Sequence, residues 1–197
     1  CCLVVGVAAF SLLATPAARA EEKGKDAVRA RYTKYEYRIP MRDGVKFFTS
    51  VYVPKDAGAS KRYPVLLTRT PYSVAPYGSD AYREGVGPSE ASAKEGFIFA
   101  YQDVRGRYMS EGRFEDVRPY NPTKAPGETD ESSDTWDTIE WLLKKLPWDN
   151  GRVGMWGISY PGFYASMGTI DAHPALVATS PQAPIAENCG GRYGPAE

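Results

Sequence analysis

The sequence predicts the α/β class: a mostly parallel sheet with helices on both faces, led into by a hairpin. Three observations carry this. Two strand-like runs, "YEYRIP" (35–40) and "VKFFTSVYVP" (45–54), flank the turn signal Arg42-Asp43-Gly44. From residue 64 onward short apolar runs alternate with helix-like stretches, as parallel strands joined by crossover helices require. One of those runs, ending at Gly157-Ile158, gives way to a helix through a serine, Ser159.

The elements follow in order. "KDAGASKRY" (55–63) is a loop and "PVLLTRT" (64–70) a short buried strand closed by Pro71. Residues 72–88 read as loop with one helical turn. "SEASAKEG" (89–96) fits a short helix ended by glycine. "FIFAYQDV" (97–104) is a strand, and the charged turn "RGRYMSEG" follows it. In residues 127–148, Asp130, Glu131 and Asp134 crowd the start of a helix and Lys144-Lys145 its end, the placement its dipole favours. Trp136, Ile139, Leu143 and Leu146 form its apolar stripe, and Pro147 stops it. "RVGMWGI" (152–158) is the next strand, "YPGFYASMGTI" the next helix and "ALVATSP" (175–181) another strand.

Composition narrows the function. The chain has 197 residues, with 24 Lys+Arg against 24 Asp+Glu, so no basic excess favours nucleic acid. No Cys/His cluster has metal-ligand spacing, and no cofactor is expected. The 14 Tyr suit a site that grips small organic groups, although most are expected in the core or at its rim. Trp136, Trp141 and Trp156 are expected in the core.

Residues 1–20, "CCLVVGVAAFSLLATPAARA", are apolar, contain Ala18-Arg19-Ala20 and precede the charged "EEKGKD". They read as the apolar region and cleavage site of a secretory signal, too short for a membrane span; a buried helix or an uncleaved anchor is the other reading. The start at Cys1, without a basic flank, is what a signal truncated at its beginning would show. On the secretory reading the protein is secreted or periplasmic, with no stable membrane association after cleavage. Cys1 and Cys2 leave with the signal, so Cys189 has no intrachain disulfide partner. Residues 21–34 are expected as a mobile linker.

Ser159 carries the chemistry. A serine hydroxyl becomes a useful nucleophile when it is exposed, held, and deprotonated by a neighbour. A sharp turn at the carboxyl end of a parallel strand exposes it, and the following helix aims free N–H groups where an oxyanion would form. Such a turn crowds strand against helix, which Gly157 accommodates. Pro161 is tolerated because the first helical turn has unpartnered N–H groups anyway. The competing reading is a serine that merely caps the helix.

"GMWGISYPGFYAS" resembles the nucleophile elbow of the CocE/NonD serine hydrolases, a group that takes in X-Pro dipeptidyl-peptidases of the S15 type, cocaine esterase, α-amino-acid ester hydrolases and glutaryl-7-aminocephalosporanate acylases. Gly157, Ser159, Tyr160 and Gly162 match its Gly-x-Ser-Tyr-x-Gly. "IPMRDGVKFFTSVYVP", "LLTRTPY" and "YQDVRGRYMSEGRF" before "DTWDTIEWL" agree as well, so the resemblance covers residues 35–186. It is closest in look to the α-amino-acid ester hydrolases and acylases. It implies the N-terminal part of an α/β-hydrolase fold, with Ser159 as nucleophile and an oxyanion hole built from the Tyr72 hydroxyl and the Tyr160 backbone N–H. It also implies a small-molecule ester, amide or short peptide as substrate. Without the resemblance Tyr72 reads as a rim aromatic. An oligomer is compatible with all of this.

Other residues near the strand ends admit two readings. Asp103, Arg105, Arg107 and Glu111 follow a strand's carboxyl end, where open α/β sheets keep their sites; the alternative is a loop braced by its own ion pairs. His173, the sequence's one histidine, lies fourteen residues after Ser159, and Asp171 twelve after it. Both are too near for the Ser–Asp–His order of this fold, so His173 is expected to be solvated or to cap a helix end. The triad acid and base are therefore expected outside this chain, which leaves a catalytically dead remnant or binding module as a further reading. Residues 187–197, "ENCGGRYGPAE", depart from the family pattern as a frameshift would, with Tyr193 near the place of an acidic residue that contacts the α-ammonium of amino-acid ester substrates.

Overall fold

The computed structural model describes residues 23–185. The signal-like segment, the three cysteines and the 187–197 tail lie outside the described residues.

Strands β1 (Tyr32–Pro40) and β2 (Lys46–Pro54) form the leading hairpin, in register from Tyr32↔Pro54 to Pro40↔Lys46. Its turn closes through Met41 N–H to the Val45 carbonyl at 2.8 Å, and Gly44 takes the left-handed φ of 83° that the reversal demands. Then come β3 (Tyr63–Thr70), α2 (Glu90–Glu95), β4 (Ile98–Asp103), α3 (Glu131–Lys145), β5 (Asp149–Ile158), α4 (Tyr160–Met167) and β6 (Leu176–Gln182). The sheet order is β1-β2-β4-β3-β5-β6. Strands β4, β3, β5 and β6 are mutually parallel, and β2 runs against them. The carboxyl ends of four neighbouring strands therefore share one edge, and the loops bearing Tyr72, Asp103 and Ser159 all leave from it.

Alternation along the strands sorts the side chains into two cores. On one face Val51, Val65, Leu67, Ile98, Val153 and Met155 pack under Ile139, Leu142 and Leu146 of α3 and Ala165 of α4. On the other, Phe48, Tyr52, Phe99 and Tyr101 pack with Val74, Val86 and Ala93 of α2. Each fully buried Leu, Ile or Phe stabilises the fold by about 1.5–3 kcal/mol. Among the described residues no helix is long and apolar enough to cross a membrane.

Three expectations are corrected. Residues 24–34 of the expected linker are regular structure: helix α1 (Gly24–Arg31) runs directly into β1. Val28 is buried, and Glu84 accepts the Lys25 N–H at 3.2 Å, which ties down a segment whose charge suggested mobility. Residues 72–88 contain no helix; a single turn, Ala81 N–H to the Gly78 carbonyl at 3.1 Å, stands there. On α3 and its cap the buried apolar residues are Ile139, Leu142 and the C-cap Leu146, while Trp136 and Leu143 are only partly covered. The helix is turned because its first two turns must meet buried charge: Glu131, Asp134, Thr135 and Thr138 all face inward. Trp141 and Trp156 are likewise half-buried and not fully in the core.

Candidate active site

Ser159 stands between β5 and α4 with φ 62° and ψ −121°. That conformation is uncommon for any residue but glycine and persists only where the surroundings impose it. Here they do. A Cβ on Gly157 would lie 2.3 Å from the Pro161 backbone, and one on Gly162 would lie 2.7 Å from the Gln182 carbonyl oxygen. Strand, helix and the end of β6 thus approach backbone to backbone. The Ser159 N–H completes the packing with a 2.9 Å bond to the Gln182 carbonyl. Ser159 occupies the N-cap position of α4 yet makes no side-chain capping bond, and it is exposed. The capping reading left open by the sequence therefore fails on geometry. Pro161 lies in the first turn, where it removes no helical hydrogen bond.

Tyr160, the first residue of α4, is buried and acts as a hub. Its ring stacks on Tyr164 at 5.2 Å and meets the edges of Phe163 and Tyr72 at 5.8 and 6.2 Å. Its hydroxyl donates to Asp116 Oδ1 at 2.7 Å and accepts the Val117 N–H at 2.6 Å. Burial, with the nearby Asp116 carboxylate adding to it, pushes this phenol up to about 12, so it stays protonated at neutral pH. The backbone N–H of Tyr160 is among the first of α4 and has no carbonyl one helical turn before it.

Tyr72 leaves the end of β3, next to β5, and its side chain is 61% exposed. The structure thus brings Tyr72, Ser159 and Tyr160 to one edge of the sheet, with the two tyrosine rings in contact.

The charged residues at and after the end of β4 are braced against other segments, and their ion pairs are not internal to the loop. Asp103 is fully buried and accepts the Val74 N–H and the Tyr77 hydroxyl, each at 2.9 Å. Burial raises its carboxyl above the ordinary range, against the pull of these donors. Arg105 pairs with Asp134 at 2.6 Å and Asp43 at 2.7 Å. Arg107 donates from Nε to the Pro71 carbonyl at 3.0 Å, and Glu111 accepts the Lys46 N–H at 3.0 Å.

Beneath Tyr164 lies a charged cluster that the sequence reading missed. Arg69 is wholly buried in β3, with its guanidinium 5.5 Å from the Tyr164 ring centroid. It donates to Gln102, Thr135 and the Glu131 carbonyl. Arg118 joins through Asp134 at 2.6 Å and Glu131 at 3.1 Å. Burial pushes the Glu131 carboxyl upward against the attraction of both arginines. The available signals were an arginine inside a buried strand, "LLTRT", and three acids at a helix start, "DESSD".

His173 does not join the site. Leu176 pairs with Val153 and Gln182 with Ile158, so His173 precedes the first paired residue of β6 while Ser159 follows the last of β5. The two lie at opposite ends of the sheet, separated by about five strand residues or roughly 17 Å. Of the two expectations for this histidine, solvated or capping, solvation fails: only 8% of it is exposed. Its ring lies 4.8 Å from that of Trp136, Nε2 is 3.0 Å from Glu140 Oε2, and Nδ1 accepts the Ala175 N–H at 3.1 Å. The last bond caps the turn into β6 and leaves the proton on Nε2, facing the carboxylate. Asp171 accepts the Tyr120 hydroxyl at 2.7 Å, in the connection after α4.

With the elbow placed, comparison with known proteins gives the family. The family model described as X-Pro dipeptidyl-peptidase (S15 family) matches residues 43–193. The chain belongs to that family. It is 30% identical over 148 residues to the cocaine esterase of Rhodococcus sp. (strain MB1 Bresler), covering 73% of this chain and 22% of that protein. Among solved structures, an aminopeptidase from a marine sediment Thaumarchaeota archaeon superposes with a TM-score of 0.69 at 38% identity, over 90% of this chain and 29% of the other. An α-amino acid ester hydrolase superposes with a TM-score of 0.66 at 35% identity, over 92% of this chain and 29% of the other. The chain thus spans less than a third of the length of these relatives.

Proposed function

We propose that this chain carries the nucleophile and oxyanion hole of a serine hydrolase that cleaves acyl ester or amide bonds through an acyl-enzyme, with amino-acid esters and β-lactam side-chain amides as its substrate class. The observation that carries the reading is Ser159 itself: exposed, held at φ 62°, with a side chain that makes no capping bond to the helix it precedes.

In this mechanism Ser159 Oγ attacks the acyl carbon and its proton passes to a general base. The oxyanion accepts the Tyr160 N–H and the Tyr72 hydroxyl. Collapse breaks the bond to the alcohol or amine, which leaves with the proton from the base. Water then attacks the acyl-enzyme by the same route and frees Ser159. His173 is not the base, since both its ring nitrogens are engaged at the far end of the sheet. On this reading the base and its orienting acid come from outside the described residues. The protein works outside the cytoplasm on this reading, which rests on the signal-like residues 1–20.

The S15-family match favours a second substrate class, peptides cut after an X-Pro pair. Hydrolysis of aminoacyl p-nitrophenyl esters and of X-Pro p-nitroanilides by the full protein separates the two. Ester turnover that Ser159→Ala abolishes supports the proposal. Faster cleavage of the anilides transfers the assignment to the exopeptidase, and turnover that survives Ser159→Ala removes it.

A further inference from the structure

Tyr72 is the member of the proposed oxyanion hole whose hydroxyl rides on a loop. Apart from its edge contact with Tyr160, the side chain stands in solvent. A phenol so placed is located only as well as its backbone is. That backbone is gripped on both sides by the single loop that follows β4. Before Tyr72, Arg107 Nε donates to the Pro71 carbonyl at 3.0 Å. After it, Asp103 Oδ1 accepts the Val74 N–H at 2.9 Å. Neither grip is loose. The Arg107 guanidinium lies over the rings of Tyr108 and Phe114, 5.2 and 5.0 Å from their centroids, which fixes the direction of its Nε–H. The other oxygen of Asp103 accepts the Tyr77 hydroxyl at 2.9 Å and the Met109 N–H at 3.3 Å. Tyr77 in turn sits 2.9 Å from Ser73 Oγ, and Ser73, next to Tyr72, is held at φ 87°. A non-glycine residue keeps that conformation only when its surroundings over-determine it.

We propose that Asp103 and Arg107 are positioning residues, clamping the backbone on either side of Tyr72 and thereby setting its hydroxyl in the oxyanion hole. The inference rests on the reading of Tyr72 as an oxyanion donor and extends it to two residues that need not touch substrate. The pair divides the work by chemistry. The carboxylate accepts the Val74 N–H, two residues after Tyr72, and the guanidinium donates to the Pro71 carbonyl just before it, so the chain is held on both sides of Tyr72. A lysine at 107 would keep the charge but lose the flat, directed Nε–H.

A double-mutant cycle on ester hydrolysis by the full protein tests this. Arg107→Lys should lower kcat by about 10- to 100-fold, the effect of misplacing a reacting group by about 1 Å, and leave KM within about twofold. Asp103→Asn, which keeps the shape but surrenders one acceptor, should act in the same direction. In a Tyr72→Phe background each should change kcat by less than about twofold, because the hydroxyl they position is gone. Losses of equal size in both backgrounds would show a brace for the loop alone and overturn the clamp, while leaving Tyr72 as a donor. Unchanged kcat in Tyr72→Phe by itself would remove the oxyanion reading, and the clamp with it. Thermal melting confirms that each variant folds; failure of both Arg107→Lys and Asp103→Asn to fold would also count against the clamp, since their role would then be the fold's.

Discussion

Helices α3 and α4 begin in opposite ways. At α3 the cap Asp130 has extended backbone, its carboxylate accepts the Ser133 N–H, and Ser133 reaches back to the Asp130 N–H at 2.8 Å. The N–H groups of Asp130, Ser133 and Asp134 are all used within the fold. At α4 the cap Ser159 has left-handed backbone, and its exposed side chain bonds to no helical N–H, although its carbonyl accepts the Phe163 N–H at 3.1 Å. Both residues are good capping types. The difference lies in the backbone: a cap with β-region angles folds its side chain over the helix end, whereas φ 62° swings it away. A helix start that stabilises itself has less left for a ligand. One that forgoes its cap keeps free N–H groups beside an exposed hydroxyl, the combination an oxyanion chemistry needs.

The contrast breaks most severely at Gly157. Gly157→Ala sets a Cβ 2.3 Å from the Pro161 backbone, which no side-chain movement relieves. Overpacking of this kind costs about 1–3 kcal/mol or more, and denaturant melts of Gly157→Ala should show a loss at the top of that range. Gly151, at the other end of the same strand, has open space around its Cβ position but φ 79°. Gly151→Ala should therefore lose only the left-handed penalty, about 1–2 kcal/mol.

Removing the cap at α3 comes next. Asp130→Ala should cost about 1–2 kcal/mol at neutral pH, while Ser159→Ala, with no cap to lose, should stay within about 0.5 kcal/mol. The pH dependence sharpens this. Burial would raise the Asp130 carboxyl, but the Lys124 ammonium and the N–H groups of Ser133 and Asn121 hold it below the ordinary carboxylate range. A folded-state value below the unfolded one stabilises the protein fully above the unfolded pKa of about 3.9, and that contribution fades as pH falls through the lower, folded value. Stability curves from pH 7 to pH 2 should thus show a shallower acid loss in Asp130→Ala than in the parent.

The smallest effect is relief of strain at the elbow. Ser159→Gly should be more stable than Ser159→Ala by about 1 kcal/mol, because only glycine takes the left-handed region freely. Equal melting of the two would mean that Ser159 is not under the tension its φ implies.

Much of this was legible in the chain because it depends on local rules. The hairpin, the strand-to-helix alternation, the glycine after α2 and the crowded turn at Gly157 each follow from neighbours in sequence. What escaped depends on partners far along the chain. The apolar stripe on α3 was misjudged because Arg69, more than sixty positions earlier, draws Glu131 and Thr135 inward. His173 looked solvated because Trp136 and Glu140, which cover and bond it, lie on a helix before the elbow. The charged residues near Lys25 suggested mobility because Glu84 and the core under Val28 are contributed by later segments. At the site, the type of each residue was readable, whereas the brace on Tyr72 came from a loop about thirty positions on.

The central claim is that Ser159 is a nucleophile and His173 is not its base. Labelling of the full protein by a serine-reactive fluorophosphonate, mapped by mass spectrometry, tests it most directly. The account predicts an adduct on Ser159 in the parent and in folded His173→Ala, at comparable rates, and none in Ser159→Ala. An adduct on another serine, or labelling of Ser159 that disappears in folded His173→Ala, would contradict it.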